Sequence, residues 1–366
     1  MKLVHITLLS VVALTGCLDS GGGSSDDRST GYITPTGIEG LSYQTNSQTG
    51  TTGEKGEFRY YPGEQLSLRV GNLALYDGIP AQDYVTPLEF AASIRDQLTL
   101  ASVDDQGLLS HKPTEQQLIE TDPVMNLTRL LLSLSWQPAN EGRGIDIRER
   151  VISQLNAALP GIEGEIDFSV GSNTFAATEP ALSPANQLLA EICFHPEGDE
   201  LCEEPPSQAE IDNAPEAPQN QQERDPDVEY RQDLENKRER ILGAVRTIED
   251  ISRDDVRAYL TRELDIISNN RSNRYYLDAA TANLAAADTG IKTIRIRKVG
   301  DEPSLAKLEA ISTNELDVVV HSFDPQVAEV EYFIAGDAGR EGEVLVNFRP
   351  TGDYRWVRKQ IRVIIE

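Results

Sequence analysis

The stretch Glu57-Phe58-Arg59-Tyr60-Tyr61-Pro62-Gly63-Glu64-Gln65-Leu66-Ser67-Leu68-Arg69-Val70-Gly71-Asn72-Leu73 decides how the first part of this chain is read. Leu66, Leu68 and Val70 fall on one face and Ser67 and Arg69 on the other, a period of two that predicts a half-buried strand. Tyr61-Pro62-Gly63-Glu64 carries Pro then Gly at its centre, the signature of a type II turn. Gly71-Asn72 suits a two-residue hairpin. With Glu57 to Tyr61 before the turn and Ile38 to Thr45 upstream, residues 37–89 read as a small antiparallel β-module.

Further along, the period changes. Pro123 after Asp122 is a helix start, with Asp122 as the expected cap, and Leu127, Leu130, Leu131 and Leu134 share one face. A second helix from about Asp146 stops at Pro160-Gly161, so residues 90–202 are expected to be mainly helical. Residues 203–227 hold Pro205, Pro206, Pro215, Pro218 and Pro226 among polar side chains and read as a disordered acidic linker. In residues 228–290, Leu234, Ile241, Leu242, Val245 and Ile248 form one stripe and Val256, Leu260, Leu264 and Ile267 another. Ser252 and Asp255 make a capping box between them, which predicts a helical hairpin. Residues 291–366 alternate again and suit an immunoglobulin-like β-sandwich. The expected fold class is α+β and multidomain.

The N-terminal end reads differently. Lys2 precedes a run from Leu3 to Leu14 in which only His5, Thr7 and Ser10 are polar, the pattern of a signal peptide over residues 1–16. The run is shorter than the roughly 20 residues a spanning helix needs. Leu14-Thr15-Gly16-Cys17 resembles the bacterial lipobox, which implies lipidation of Cys17 and a membrane anchor. A thiolate is the one common side chain nucleophilic enough for that S-alkylation. Each buried methylene of the lipid contributes about 0.8 kcal/mol, so two or three chains hold firmly. Within that family an Asp after the Cys signals inner-membrane retention; here Leu18 intervenes before Asp19, which points to the outer membrane. The glycine- and serine-rich residues 17–36 read as a flexible tether.

Three cysteines are an odd number. With Cys17 acylated, Cys193 and Cys202 remain as a disulfide pair, expected to constrain the unfolded chain by roughly 2–3 kcal/mol. A two-Cys metal site with His195 is the rival, but zinc cysteines usually lie two to four residues apart and four ligands are required. Glu197, Asp199, Glu200, Glu203 and Glu204 crowd the same loop. They are weak calcium candidates, or simply a solvated acidic face. Removing residues 1–16 leaves 32 basic against 60 acidic residues, net −28. Such a charge repels nucleic acid, which is excluded as a partner.

Several strings of the β-module are similar to a repeated module of proteobacterial surface lipoproteins described as adhesin-like or carboxypeptidase-regulatory-like. They are Gly40-Leu41-Ser42-Tyr43-Gln44-Thr45, Gly56-Glu57-Phe58-Arg59-Tyr60, Pro62-Gly63-Glu64 and Val85-Thr86-Pro87-Leu88. Val124 to Leu131 resembles the helix that follows in that group. The resemblance covers about residues 37–147 and implies an envelope location and a β-module. It brings no catalytic residue, and the calcium-holding turn of that group is replaced here by Leu134-Ser135-Trp136-Gln137-Pro138. Elsewhere His111 sits beside Lys112-Pro113 in an expected loop, and His321 alternates in an expected strand. No His-Glu-x-x-His, Gly-x-Ser-x-Gly, P-loop or dinucleotide-binding string occurs. No catalytic residue and no cofactor are therefore assigned. The expected function is a non-enzymatic binding or adhesion role on the envelope, with a protein or cell-surface ligand. Alternatives are a periplasmic accessory subunit of a transport or assembly complex, and a hydrolase using carboxylates assembled in space.

Overall fold

The computed structural model describes residues 28–139 and 142–366, so the signal-peptide reading and Cys17 lie outside the described residues. The chain is mixed α+β, with β-rich regions at both ends and most of its helices between them. Two hydrophobic cores organise it. One runs from Ile33 to Leu264 and the other from Tyr275 to Ile365.

In the first body the strands Thr49–Thr51, Ser42–Gln44, Gln65–Val70 and Leu73–Pro80 form an antiparallel sheet in that order. Leu66, Leu68 and Val70 are fully buried, the face that the alternation predicts. Gly63 adopts φ +90° and the Glu64 N–H donates to the Tyr61 carbonyl at 3.1 Å, so the expected turn forms. Val70 pairs with Leu73 across Gly71-Asn72. The module is not wholly antiparallel: Ser29–Ile33 pairs parallel with Tyr84–Val85, and Ile145–Asp146 pairs parallel with Ile38–Glu39.

The helix Asp122–Leu134 runs through this core with every residue from Val124 to Leu134 buried. Its cap is Thr121; Asp122 lies inside the first turn, and its carboxylate accepts from the Ser172 N–H and hydroxyl instead of capping. The helix Arg253–Ser272 has the expected capping box at Ser252 and Asp255 and buries Val256, Leu260, Leu264 and Ile267 as its spacing predicts. It packs on the Asp122–Leu134 helix, so the β-module, the helical middle and this helix share one core.

Three segments depart from their expected state. The last part of the tether, Ser29–Ile33, is a strand with Ile33 fully buried, and the Thr36 N–H and hydroxyl both donate at 2.9 Å to the buried Glu263 carboxylate. A long-range partner therefore orders residues whose own composition has little to bury. The linker at 203–227 contains a capped helix, Gln208–Asn213, whose Ile211 is buried. The helical hairpin is replaced by a different pairing. Arg231–Gly243 packs on Gln208–Asn213 and the Glu200–Cys202 turn, buries only Ile241, and leaves Leu242 half exposed. Lys237–Glu203 and Arg240–Glu200 ion pairs flank Ile241 on that docked side, so the thin apolar stripe and its charged border face the disulfide loop together.

The C-terminal body starts earlier than expected, with Tyr275–Leu277. One sheet is ordered Tyr275–Leu277, Lys292–Lys298, Glu329–Ile334, Val318–Asp324, and the other Thr281–Leu284, Val357–Ile365, Glu341–Pro350, Leu305–Ser312. Their inward residues, among them Ile294, Val330, Val346, Phe348 and Val363, close the second core.

Candidate functional site

The two bodies meet along a seam of buried charge. The capping box at Thr86 turns the chain into Pro87–Phe90 and buries Glu89, while His111 caps Lys112–Ile119 and aims Glu115 the same way. From the other body the turn before Val357–Ile365 inserts Asp353, Tyr354 and Arg355. Arg355 is 3% exposed, and its guanidinium lies 3.2 Å from Glu89, 3.6 Å from Glu115 and 3.7 Å from Asp353. The Tyr354 hydroxyl donates to Glu115 at 2.7 Å, and the Arg355 guanidinium sits 4.2 Å from the centre of the Tyr354 ring. His111 accepts from the Trp356 N–H at Nδ1 (2.9 Å), with Nε2 3.1 Å from the Ser268 hydroxyl. That pairing makes Nδ1 the unprotonated nitrogen.

Burial sets the protonation states. It pushes the His111 imidazole down to about 3, helped by the nearby Arg355 charge. It pushes the Glu115 carboxyl up to about 7, against the pull of Arg355 and of the Tyr354 hydrogen bond. Burial works against the Arg355 charge too, but Tyr354, Glu89, Asp353 and Glu115 outweigh it, and its affinity for the proton rises. The Tyr354 phenol is raised well above its usual range by burial, with the two glutamates adding to it. The two carboxylates are therefore tied to one guanidinium and shielded from water. They cannot act as an accessible acid and base.

Above this seam a cleft of about 360 Å³ opens between Tyr60, Asp83 and Tyr84 on one side and Arg271, Arg274, Tyr275 and Lys298 on the other, floored by Asp353 to Arg355. Arg271 pairs with Asp353 at 2.7 Å, Lys298 reaches Asp301 at 3.4 Å, and the Tyr60 hydroxyl donates to Asp83 at 3.3 Å.

The residues singled out in the sequence lie elsewhere. Cys193 and Cys202 are bonded to each other. Asp199 caps the Leu201 N–H at 3.0 Å, Glu200 accepts from Arg240 at 3.0 Å, Glu203 pairs with Lys237, and Glu197 and Glu204 are exposed. Among the described residues no three His, Cys, Asp or Glu side chains gather as a metal site, His195 included. His321 is exposed on its strand, whereas His111, expected in a loop, is a buried helix cap. Sequence reading missed Glu89, Glu115 and Arg355. Thr86-Pro87-Leu88-Glu89 is itself a capping-box string and was the available signal for Glu89; nothing local marks the other two.

No family model and no curated protein matches the chain. Among solved structures, domains 4 and 5 of the S-layer protein SbsC align at 9% identity and a TM-score of 0.19, covering 25% of this chain and 50% of that one. A structure of domains 1–6 of the surface layer protein SbsC aligns at 10% identity and a TM-score of 0.19, covering 25% of this chain and 13% of that one. Likenesses of that size carry nothing about fold or function.

Proposed function

We propose that this chain is an envelope lipoprotein with a non-enzymatic binding or adhesion role, anchored through Cys17 to the outer membrane and carrying an immunoglobulin-like sandwich at its far end. The strand order of the C-terminal body carries the reading. Named A to G along the chain, its sheets run A-B-E-D and A′-G-F-C, the arrangement of immunoglobulin domains. The parallel pairing of Thr281–Leu284 with the last strand is the A′–G contact. That architecture hosts many unrelated activities, and its loops and edges are where ligands dock. The Cys193–Cys202 bond supports an oxidising compartment and uses the two cysteines other than Cys17. No helix among the described residues is long and apolar enough to cross a membrane, so a lipid would be the attachment this reading needs.

Carboxylate catalysis is the weaker alternative, because Asp353 in the cleft is spoken for by Arg271 and Arg355. The accessory-subunit reading has one observation in its favour, the exposed Leu242 and Val245 at the end of Arg231–Gly243. Two measurements separate these. Globomycin should block processing, and Cys17→Ser should abolish palmitate labelling; unchanged labelling defeats the anchor. Protease shaving of intact cells should then remove the protein, whereas protection together with a stable crosslinked partner favours the accessory role.

A further inference from the structure

The cleft between the two bodies reverses the charge of the molecule around it. Four basic side chains, Arg271, Arg274, Lys298 and Arg355, line it against two acidic ones, Asp83 and Asp353, in a chain whose formal net charge is −27. At the floor Arg271 is paired by Asp353, and Arg355 by Glu89 and Glu115 beneath it. Arg274 is different: it is exposed and, among the described residues, makes no ion pair. Among the described residues Lys298 pairs with Asp301, a largely exposed carboxylate whose proton affinity the more distant Arg274 charge also lowers. A guanidinium and an ammonium facing one concave space, in a protein with a surplus of carboxylates available to pair them, are the polar part of a binding site.

From this we infer that the interdomain cleft binds a small ligand through one oxyanion, a carboxylate or a phosphate, held by Arg274 and Lys298. The inference rests on the binding role proposed above and names its ligand class. The planar fork of Arg274 matches two oxygens of either group, and Lys298 supplies a point charge. Tyr84, partly exposed at the wall, offers the ring surface that a sugar-sized body would use, with the edges of the buried Tyr60 and Tyr275 beside it. A volume of about 360 Å³ admits a ligand of one or two rings and excludes a polymer except at its end. The overall negative charge does not forbid this. At physiological salt, repulsion from distant carboxylates is screened beyond about 8 Å, while contacts inside the cleft survive.

Isothermal titration of the whole soluble chain, from residue 18 onward, tests it with four probes: inorganic phosphate, glucuronate, glucose 6-phosphate and glucose. Binding of glucuronate or of the phosphates, with glucose at least tenfold weaker, is the expected result. Glucuronate alone identifies a carboxylate source, and phosphate with glucose 6-phosphate identifies a phosphate source. Arg274→Gln should weaken binding about tenfold, the range of one charge-assisted hydrogen bond, at an unchanged melting temperature. Asp83→Asn, which removes the opposing charge near Tyr60, should strengthen it and so cannot be confused with unfolding. Equal binding of glucose, binding indifferent to Arg274→Gln, or no heat from any anion up to about 10 mM overturns the inference. The first two of these would leave a binding protein with a different ligand class.

Discussion

Arg355 is the residue on which the seam turns. Removing its guanidinium leaves Glu89 and Glu115, 2% and 3% exposed, without their shared cation. Breaking a buried pair from one side costs about 3–5 kcal/mol because the remaining charge is uncompensated. Arg355→Met should lower stability to urea by that order, and Arg355→Met combined with Glu89→Gln should recover part of it. An Arg355→Met effect below about 1 kcal/mol would mean the network is peripheral to folding. Two neighbours predict a pH signature. The folded His111, at about 3 instead of 6.5, refuses a proton that the unfolded chain accepts, so its share of stability falls as pH drops from 6.5 toward 3. The folded Glu115, at about 7 instead of 4.5, keeps a proton that the unfolded chain has lost. Its share is complete below 4.5 and declines as pH rises through 7. Between 4.5 and 6.5 the slopes oppose each other. Relative to the parent, His111→Gln should therefore give urea midpoints that fall with pH across 3 to 6.5, and Glu115→Gln midpoints that rise across 4.5 to 7. Curves parallel to the parent would show that these groups titrate alike in both states.

Among the elements, Arg253–Ser272 joins the most distant parts of the chain. Its apolar stripe is in the core, Ser268 meets His111, Arg271 meets Asp353, and Glu263 holds Thr36. Glu263 is fully buried, accepting from the Thr36 N–H and hydroxyl and paired with Arg262 at 2.9 Å. Glu263→Leu should loosen the segment that follows the Ser29–Ile33 strand, raising hydrogen exchange around residues 33–36 by roughly 10–100-fold, the equivalent of about 1.4–2.8 kcal/mol of local stability. Unchanged exchange there would assign the ordering to the pairings with Glu57–Tyr60 and Tyr84–Val85. The helix is also where sequence reading works best. Its start, its cap and its four buried apolar positions all follow from one capping box and a 3.6 period. Arg231–Gly243 shows the limit of the same rule. Its stripe buries only Ile241, and with Lys237 and Arg240 bordering it the helix goes to the disulfide loop.

At the scale of the whole molecule the two cores are joined by polar contacts. Arg358 reaches Asp104 at 2.6 Å, Asn347 donates to the Leu109 carbonyl at 2.9 Å, and the Leu109 N–H donates to Glu309 at 2.6 Å. A seam made of charged pairs and backbone hydrogen bonds is costly to leave half open, because each separated group is buried or geometrically committed. Calorimetry of the parent should therefore show one cooperative transition, and Arg358→Ala with Arg355→Met should split it into two. Two resolved transitions in the parent would mean that the bodies unfold independently.

What the sequence by itself determined is local. The type II turn at Pro62-Gly63, the alternation of Leu66 to Val70, the helix from Ser252 and the alternating strands of the last eighty residues each depend on a few neighbours. Steric and hydrogen-bonding preferences of those neighbours suffice to set them. Tertiary structure alone decided that Thr36 would be pinned by a carboxylate 227 residues away, that a proline-rich stretch would fold beside Arg231–Gly243, and that Glu89, Glu115 and Arg355 would meet. Burial of charge is a property of where distant segments converge. No window of sequence records which cation a buried carboxylate will find.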